Sequence, residues 1–424
     1  MGCGVMVQPN SFVSFTYDAG GVTAWFDVRC GGVGVQLDGR ELCVGSLVCE
    51  HYSGISTFEA ARRFCRVMSP APLLPDHPVY GGNNWYYAYG KSSREDILQD
   101  AALIASLTEG LENRPYMVID AGWSRRTDKV VCGPWLPNDK YGDMAEVAQA
   151  IRERDVRPGL WFRPLYDEDA TAQHPEWRLS RDGMYLDPSH PGVQAYLTEA
   201  LRRFKDWGYG LIKHDFSTYD MFGAFGNTLY GTVTRQENWS FHDRKKTGAE
   251  IVLDFYRLIR RETEGMVLIG CNTLSHLCAG LVELCRIGDD TSGNVWCRTR
   301  SIGVNTLAFR MAQNGAFYMA DADCVGILPG RIPWSLNRQW MHLLAYSGTP
   351  LFLSCAPGAL TAEQAEEIRA LMRVASRQAN EAEPLDWEYN VTPSRWCIDG
   401  EEVTFDWFNA DDDPFLRANT SLPY

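Results

Sequence analysis

The sequence predicts an α/β protein built on a (β/α)8 barrel, and three observations lead to this prediction. The chain has 424 residues, enough for a barrel of about 250 residues with accessory segments. From residue 79 onward, short apolar runs alternate with amphipathic helical windows. No glycine-rich phosphate-binding motif follows the first run, which argues against a doubly wound open sheet.

Eight apolar runs are the candidate strands of the barrel. They span residues 79–87, 116–122, 157–165, 210–215, 267–272, 284–290, 316–323 and 350–355. Helical windows follow most of them, at residues 93–111, 143–155, 193–207, 248–263, 299–314 and 361–378. Eight strand–helix units are the number that closes one such barrel.

The segments on either side of the barrel have a different pattern. Residues 12–52 alternate apolar and polar positions around glycine-rich turns, which predicts a β-sandwich or a remnant of one. A helix and a proline-rich linker follow, at residues 57–68 and 69–78. Both ends of the chain read as abbreviated, or the sequence is a fragment. We expect three parts: a β-rich N-terminal segment at 1–76, the catalytic barrel at 77–378, and a partial C-terminal β-domain at 379–424.

Composition excludes several classes of function. The net charge of −14 argues against nucleic acid or an anionic membrane as a partner. No apolar window reaches the roughly 18 residues of a membrane span, and the N-terminus lacks the pattern of a signal peptide. The 13 cysteines are dispersed without metal-ligand spacing, which predicts reduced thiols and a cytoplasmic location. The aromatic content of 12% fits either sugar binding or a tryptophan-rich core.

Acidic residues end four of the predicted strands, at the barrel face where working residues lie. These residues are Asp120, Asp215, Asp290 and Asp323. Each could cap a following helix instead, but carboxylates gathered in one mouth repel one another unless a metal or a reaction uses them. Histidine is scarce, with 8 in the chain, so no histidine-rich metal centre is expected, although Mg²⁺ on carboxylates stays open. A carboxylate pair working without metal or cofactor is typical of glycoside hydrolysis.

Several motifs, taken in their order along the chain, resemble those of glycoside hydrolase families 27 and 36, the α-galactosidases. GYGLIKHDFS is similar to the K-x-D nucleophile motif, and CRIGDDTSGNVW is similar to the R-x-x-x-D acid/base segment. IDAGW resembles D-D-G-W, and YMADADCVGI resembles the D-x-D of strand seven. The resemblance spans about residues 45–410, and the order of the motifs carries it, because none is specific alone.

The resemblance implies a retaining exo-α-glycosidase that hydrolyses terminal α-linked sugars of oligosaccharides by double displacement. Asp215 is the implied nucleophile and Asp290 the implied acid/base, with Asp289 as a neighbouring like charge. Lys213 shares a strand face with Asp215 and is expected to keep it ionised. The expected substrate-binding residues are Trp85, Asp120, Trp161, Arg163, Lys213, Cys271, Arg286, Asp289 and Asp323. For the aromatic members the alternative is ordinary barrel packing.

Three departures from the family pattern leave the sugar open. Ala121 replaces the second aspartate of D-D-G-W, and CNTLSHLCAG replaces a glycine-rich segment after strand five. Arg163 could bind the carboxylate of a uronic acid, or pair with an acid of the barrel mouth, which we favour. The alternatives are therefore a glycosidase for a modified or acidic sugar, a transglycosylase, or a carbohydrate-binding relative that has lost catalysis. The expected partner is an oligosaccharide or glycoside, without nucleic acid or membrane, and a homo-oligomer stays open.

Overall fold

The N-terminal part of the chain forms two separate pairs of antiparallel strands. A computed structural model describes residues 1–225, 236–377, 381–410 and 412. Strand β1 (Gly2–Val5) pairs with β4 (Leu47–Glu50), and β2 (Phe12–Asp18) pairs with β3 (Gly21–Asp27). The predicted short strands are present, but as two strand pairs and not as the sheets of a sandwich. Helix α1 (Thr57–Met68) follows and begins at Ser56, whose hydroxyl accepts a hydrogen bond from the Glu59 amide.

The predicted barrel is confirmed. Nine parallel strands form one sheet in the order β11-β10-β9-β8-β7-β6-β5-β13-β12. The strands are β5 (Tyr80–Asn83), β6 (Tyr116–Ile119), β7 (Arg157–Phe162), β8 (Leu211–His214), β9 (Val267–Gly270), β10 (Leu284–Arg286), β11 (Met319–Asp321), β12 (Val325–Ile327) and β13 (Leu351–Cys355). Eight of them overlap a predicted apolar run and are shorter than it, because the polar residues that follow each strand turn into the loops at the barrel mouth. β12 was not predicted, since it lies beyond the run at residues 316–323.

Strands β11 and β12 are two halves of the seventh barrel strand. β11 pairs with β10 in register Arg286↔Asp321, whereas β12 pairs with β13 in register Val325↔Leu353. Only three residues separate the two halves, so the nine short strands correspond to the eight of a closed barrel. Asp323 lies in the break with a φ of +84°. This kink carries its side chain to the barrel mouth.

Helices of the barrel layer alternate with the strands as predicted. They are α2 (Trp85–Ala88), α3 (Arg94–Leu107), α4 (Met144–Arg152), α5 (Glu168–Gln173), α6 (Pro191–Asp206), α7 (Ser217–Phe222), α8 (Gly248–Glu262), α9 (Ser275–Cys278), α10 (Trp296–Arg298), α11 (Asn305–Arg310), α12 (Trp334–Tyr346) and α13 (Ala362–Ala375). Capping boxes begin three of the long helices, at Ser93, Thr247 and Thr361. A π-helical turn, Thr299–Val304, joins α10 to α11.

Part of the first predicted strand is helical. The run at residues 79–87 was expected to be a strand throughout, but β5 ends at Asn83 and Trp85–Ala88 is the helical turn α2. The Asn83 side chain accepts a hydrogen bond from the Trp85 amide at 2.9 Å, which favours a turn at this point. Tyr89 then ends the turn in the left-handed conformation, with a φ of +44°.

The C-terminal segment forms a small antiparallel sheet, in keeping with the predicted β-domain. Its strands are β14 (Ala382–Pro384), β15 (Arg395–Ile398) and β16 (Glu401–Thr404). The Trp296 indole N–H donates to the Trp407 carbonyl at 2.9 Å, which attaches this segment to the barrel. The predicted boundary at residues 378–379 and the residues 411 and 413–424 lie outside the described residues, and the boundary at residue 76 stays a prediction.

The core explains part of the high aromatic content. Six tryptophans are fully buried, namely Trp123, Trp135, Trp161, Trp296, Trp340 and Trp396. The Trp135 ring contacts the rings of Trp123 and Trp161 at centroid distances of 5.9 and 6.0 Å. These side chains contribute packing that few other residues of the chain are large enough to provide. In the described part of the chain, no helix combines the length and apolarity needed to cross a bilayer.

Candidate active site

The barrel brings most of the predicted site residues to one mouth. The carboxyl ends of parallel barrel strands share one face, and Asp120, Asp215, Cys271 and Asp290 follow β6, β8, β9 and β10 respectively. Asp323 joins them from the break in the seventh strand. His214, between Lys213 and Asp215, lies 5.9 Å from the Tyr256 ring of α8. Lys213 and Asp215 therefore share the face opposite to this helix layer.

Asp215 is held in one orientation by three hydrogen bonds. Its Oδ2 accepts from the Trp161 indole N–H at 3.0 Å. Its Oδ1 accepts from the Asn272 amide at 2.5 Å and from the Phe216 backbone N–H at 2.6 Å. The Asp215 side chain is buried and has lost most of its hydration. The three hydrogen-bond donors replace that hydration, so moving the carboxylate away from them would be unfavourable.

The ionised form of Asp215 is stabilised as predicted. Burial by itself would raise the pKa of Asp215, but the Lys213 ammonium and the three hydrogen bonds outweigh it and hold the pKa below its ordinary value. Lys213 in turn donates to Asp120 Oδ2 at 2.9 Å. Burial alone would lower the pKa of Lys213, whereas the Asp120 carboxylate raises it well above its ordinary value. Lys213 is therefore a permanent cation between two carboxylates.

Asp290 has the opposite electrostatic setting. Desolvation raises the pKa of Asp290 to about 6, Arg286 and Lys213 oppose this, and the charges of Asp323 and Asp215 reinforce it. Arg286 binds Asp290 Oδ1 at 2.9 Å and Asp323 Oδ2 at 2.6 Å. The Arg286 guanidinium therefore orients the Asp290 side chain, while the pKa of Asp290 stays above its ordinary value. Asp215 and Asp290 are therefore ionised over different pH ranges.

Asp289 lies beside Asp290 and is held by an ion pair. The charges of Asp323 and Asp215 reinforce the raised pKa of Asp290, and the expected contribution of Asp289 to that pKa stays a prediction. Asp289 is 47% exposed and pairs with Arg298 at 3.1 Å, while its Oδ1 accepts from the Asp290 backbone N–H at 2.8 Å. The geometry favours Asp290 over Asp289 as the proton donor.

Several groups that complete the site were not among the predicted residues. Asn83 donates to Asp120 Oδ2 at 2.7 Å, and the Tyr86 hydroxyl donates to Asp323 Oδ2. Thr291 also donates to Asp323, from its backbone N–H at 2.7 Å. Asn83 ends β5, and Asn272 follows β9 closely. This position at strand ends could have marked both residues as candidates in the sequence, but their hydrogen-bond partners depend on contacts between strands.

The predicted aromatic and thiol residues differ in their exposure. Trp161 is 1% exposed and contributes its N–H to Asp215, whereas Trp85 is half-buried and lies 5.2 Å from the Tyr89 ring. Burial, followed by the Asp215 charge, raises the pKa of the Cys271 thiol well above its ordinary value. Cys271 is therefore a neutral group in the mouth, and Trp85 is the predicted aromatic with surface available to a ligand.

Arg163 pairs with an acid of the barrel mouth. Its Nε lies 3.0 Å from Asp220 Oδ2 and its Nη2 lies 2.5 Å from Asp220 Oδ1, which is bidentate geometry. The guanidinium also packs over the Phe216 and Tyr166 rings at 4.3 and 4.5 Å. The favoured interpretation of Arg163 is confirmed, and the guanidinium already has a carboxylate partner in this structure.

We expect the Arg163–Asp220 pair to be a large contributor to stability. Arg163→Met leaves the fully buried Asp220 carboxylate without its cation, which should lower the free energy of unfolding by about 3–5 kcal/mol. Urea denaturation followed by circular dichroism measures this change. Arg94→Met, which breaks the exposed Arg94–Glu146 pair, is the control and should cost less than about 1 kcal/mol. Equal losses in the two variants would contradict the prediction.

Backbone strain is concentrated around the mouth. Phe216, Asn272, Ser292 and Asp323 all have positive φ, between +52° and +84°. Such conformations cost non-glycine residues roughly 1–3 kcal/mol each and persist where surrounding contacts enforce them. Asn272 and Phe216 are both donors to Asp215, so at these two positions the strained backbone delivers a hydrogen bond to the carboxylate. Within the described residues, no group of three or more His, Cys, Asp and Glu side chains is arranged to hold a metal ion.

The sequence matches no protein-family model and no curated protein sequence. The fold does match solved structures. The α-galactosidase from Thermus thermophilus, in complex with p-nitrophenyl α-D-galactopyranoside, is 21% identical with a TM-score of 0.62, over 91% of this chain and 73% of that chain. A GH27 β-L-arabinopyranosidase from Geobacillus stearothermophilus is 15% identical with a TM-score of 0.54, over 72% and 78%.

A third similar structure is an isomalto-dextranase from Arthrobacter globiformis T6 in complex with panose. It is 15% identical with a TM-score of 0.55, over 78% of this chain and 62% of that chain. These three enzymes differ in the sugars that their names state, so the shared fold does not by itself select a sugar. The chain has the α-galactosidase-like fold of glycoside hydrolase families 27 and 36.

Proposed function

We propose that this protein is a retaining exo-α-glycosidase with an α-galactosidase-like site. The observation that carries the proposal is the pair Asp215 and Asp290. The pKa of Asp215 is held low, whereas that of Asp290 is raised to about 6. A pair of carboxyl groups in which one is an anion and the other holds a proton is what double displacement at a glycosidic carbon requires.

In the first step, Asp215 attacks the anomeric carbon of the terminal sugar. The bond between carbon and the leaving oxygen breaks while Asp290 transfers its proton to that oxygen, so a neutral alcohol departs. The product is a glycosyl ester on Asp215. In the second step, Asp290 as carboxylate removes a proton from water, whose oxygen attacks the same carbon and releases Asp215. Two inversions give net retention.

The neighbouring groups support these steps. Trp161 and Asn272 hold the Asp215 oxygens, which limits the orientations in which the carboxylate can attack. Lys213 and Asp120 form a buried ion pair beside it, and both retain capacity to bond a sugar hydroxyl, since Lys213 has three N–H donors. Arg286 positions Asp290. The substrate in this proposal is an oligosaccharide or other glycoside with a terminal α-linked sugar.

Two of the rival functions have less support. A carbohydrate-binding protein without catalysis has no use for two carboxyl groups such as Asp215 and Asp290 that are ionised over different pH ranges. A uronic acid would need an arginine for bidentate pairing, and Arg163 already uses its Nε and Nη2 to bind Asp220. Galactose is the first sugar to test. Other sugars should be tested as well, because Ala121 replaces the second aspartate of the D-D-G-W motif. The thirteen free cysteines suit action in the cytoplasm.

The proposal is tested by a screen of p-nitrophenyl glycosides followed by proton NMR of the product. We expect turnover of an α-glycoside, with α-galactoside ahead of α-galacturonide, and the α-anomer of the free sugar as the first product. A β-anomer as the first product would exclude retention. Turnover of the galacturonide equal to or above that of the galactoside would favour the acidic-sugar alternative. Absence of turnover for every α-glycoside would overturn the proposal.

The two carboxyl groups also predict the pH profile. Asp290 must be protonated to act as the acid, so kcat/KM should fall as pH rises through about 6. Asp215 must be ionised, so the acidic limb should lie below the ordinary carboxyl pKa of 3.8. Each limb should approach a tenfold loss per pH unit. A profile measured between pH 3 and 9 with a constant-ionic-strength buffer tests this, and an alkaline limb near pH 8 would contradict it.

A further inference from the structure

A cavity of about 850 Å³ lies between the N-terminal strands and the barrel mouth. We call it the hairpin groove. Its outer wall is formed by Val13, Phe15 and Trp25 of the β2–β3 hairpin, and Phe64 and Met68 of α1 form another side. The opposite wall consists of residues 272–277 and 286–289 at the barrel mouth. The volume lies within the range of pockets that hold small organic ligands.

The hairpin groove is lined by residues that hold the two candidate catalytic carboxyl groups. Asn272, which donates to Asp215, lines it, as does Arg286, which binds Asp290. The segment 286–289 ends directly before Asp290. Because the general acid must reach the leaving oxygen, the leaving group of the substrate extends from the side on which Asp290 lies. The occupant of the groove is therefore the aglycone and not the sugar that Asp215 attacks.

The walls of the hairpin groove are mainly apolar, and many of their polar groups already have partners. Phe15 is 37% and Trp25 is 57% exposed, which is unusual for large apolar side chains. By contrast, the polar side chains bond within the protein: His276 with the Val5 carbonyl, Arg310 with Tyr318 and Gln313, and Asp27 with Arg29. These three polar side chains of the lining therefore already have partners within the protein.

The loop that departs from the family pattern forms one wall of this groove. The segment CNTLSHLCAG, which replaces a glycine-rich stretch, supplies residues 272–277 of the lining. We propose that the hairpin groove binds the leaving group and selects glycosides whose aglycone is an apolar alcohol. This inference rests on the proposed function, and in that reaction the products are the free sugar and the apolar alcohol, with water consumed.

A series of alkyl α-D-galactopyranosides tests the inference, because aglycone length changes while the basicity of the leaving alcohol stays nearly constant from ethyl onward. Each methylene that enters an apolar site should raise kcat/KM about threefold to fourfold. We expect octyl to exceed ethyl by at least about thirtyfold, since part of the chain stays exposed. Equal kcat/KM for ethyl and octyl would overturn the inference.

Two hairpin variants locate the effect. Trp25→Ala should reduce the octyl-to-ethyl ratio of kcat/KM at least about fivefold. Tyr17→Ala is the matched control, because Tyr17 lies on the same hairpin, is 88% exposed and does not line the groove. If the Trp25→Ala substitution disturbs the fold of the hairpin, the octyl-to-ethyl ratio of the Phe15→Ser variant tests the same wall of the groove. Equal ratios in the Trp25 and Tyr17 variants would place the binding site elsewhere and overturn the inference.

Binding of free 1-octanol, measured by isothermal titration calorimetry, separates this inference from the proposed function. Saturable binding that Trp25→Ala weakens and Tyr17→Ala does not, in a protein that hydrolyses no α-glycoside, would uphold the groove and reject the glycosidase assignment. Hydrolysis of ethyl and octyl glycosides at one rate, without octanol binding, would uphold the glycosidase and reject the groove.

Discussion

Replacing Asp215 with alanine is expected to reduce kcat by roughly 10⁴-fold or more, the scale seen when an enzyme loses its covalent nucleophile. The variant keeps the Lys213–Asp120 pair, so we expect it to fold. Trp161, Asn272 and Phe216 lose their common acceptor, and among the described residues these three donors bind no other carboxylate. The loss therefore falls on the chemical step, and single-turnover kinetics with an activated aryl glycoside measures it.

Azide distinguishes the loss of a nucleophile from general damage to the site. In Asp215→Ala the removed side chain leaves room for a small anion on the face of the sugar that Asp215 would attack. Direct attack by azide inverts the anomeric carbon, so an α-glycoside should give a β-glycosyl azide. Asp206→Ala, on the exposed end of α6, is the control and should retain full activity. Near-wild-type rates in Asp215→Ala would refute the assignment.

Replacing Asp290 with alanine should have an effect that depends on the leaving group. Alkyl glycosides need a proton on the departing oxygen, so we expect a loss of about 10²–10⁴-fold in kcat/KM. Dinitrophenyl glycosides leave as stable anions, and their first step should change little. Hydrolysis of the ester on Asp215 then becomes limiting, because no base activates water. The two substrates measured side by side give this contrast.

Two further results identify Asp290 as the acid/base. Azide needs no general base, so it should intercept the ester in Asp290→Ala and give the α-glycosyl azide, opposite in configuration to the product of the Asp215 variant. The alkaline limb of the pH profile should also disappear. Asp289→Ala is the matched control, because that neighbouring carboxylate is exposed and paired with Arg298. If Asp289→Ala and not Asp290→Ala lost the alkaline limb, the two roles would be exchanged.

The barrel was predictable because its signals are local. Apolar runs and capping residues such as Ser93 and Thr361 act over a few residues, so they can be recognised in the sequence alone. The gathering of Asp120, Asp215 and Asp290 followed from one topological rule, that parallel barrel strands end at the same face. The prediction that Lys213 would keep Asp215 ionised needed only the alternation of a strand.

The contacts that decide the chemistry are long-range, and here prediction failed or was silent. Arg163 and Asp220 are 57 residues apart, and Tyr86 and Asp323 are 237 apart. No local sequence pattern predicts which carboxylate a guanidinium will bind, because the choice of partner depends on how loops from different strands pack. The pairing of Asp289 with Arg298 was not predicted for the same reason.

The sequence by itself determined the barrel and the order of the carboxylates along the chain. Only the tertiary structure decided which of them carries a proton, because pKa depends on burial and on charges brought from other strands. Only the tertiary structure also placed the β2–β3 hairpin beside the barrel mouth, where Phe15 and Trp25 line one groove together with the segments that begin at Asn272 and Arg286. A short two-stranded ribbon has no local signal for its docking site, since contacts with distant elements fix its position.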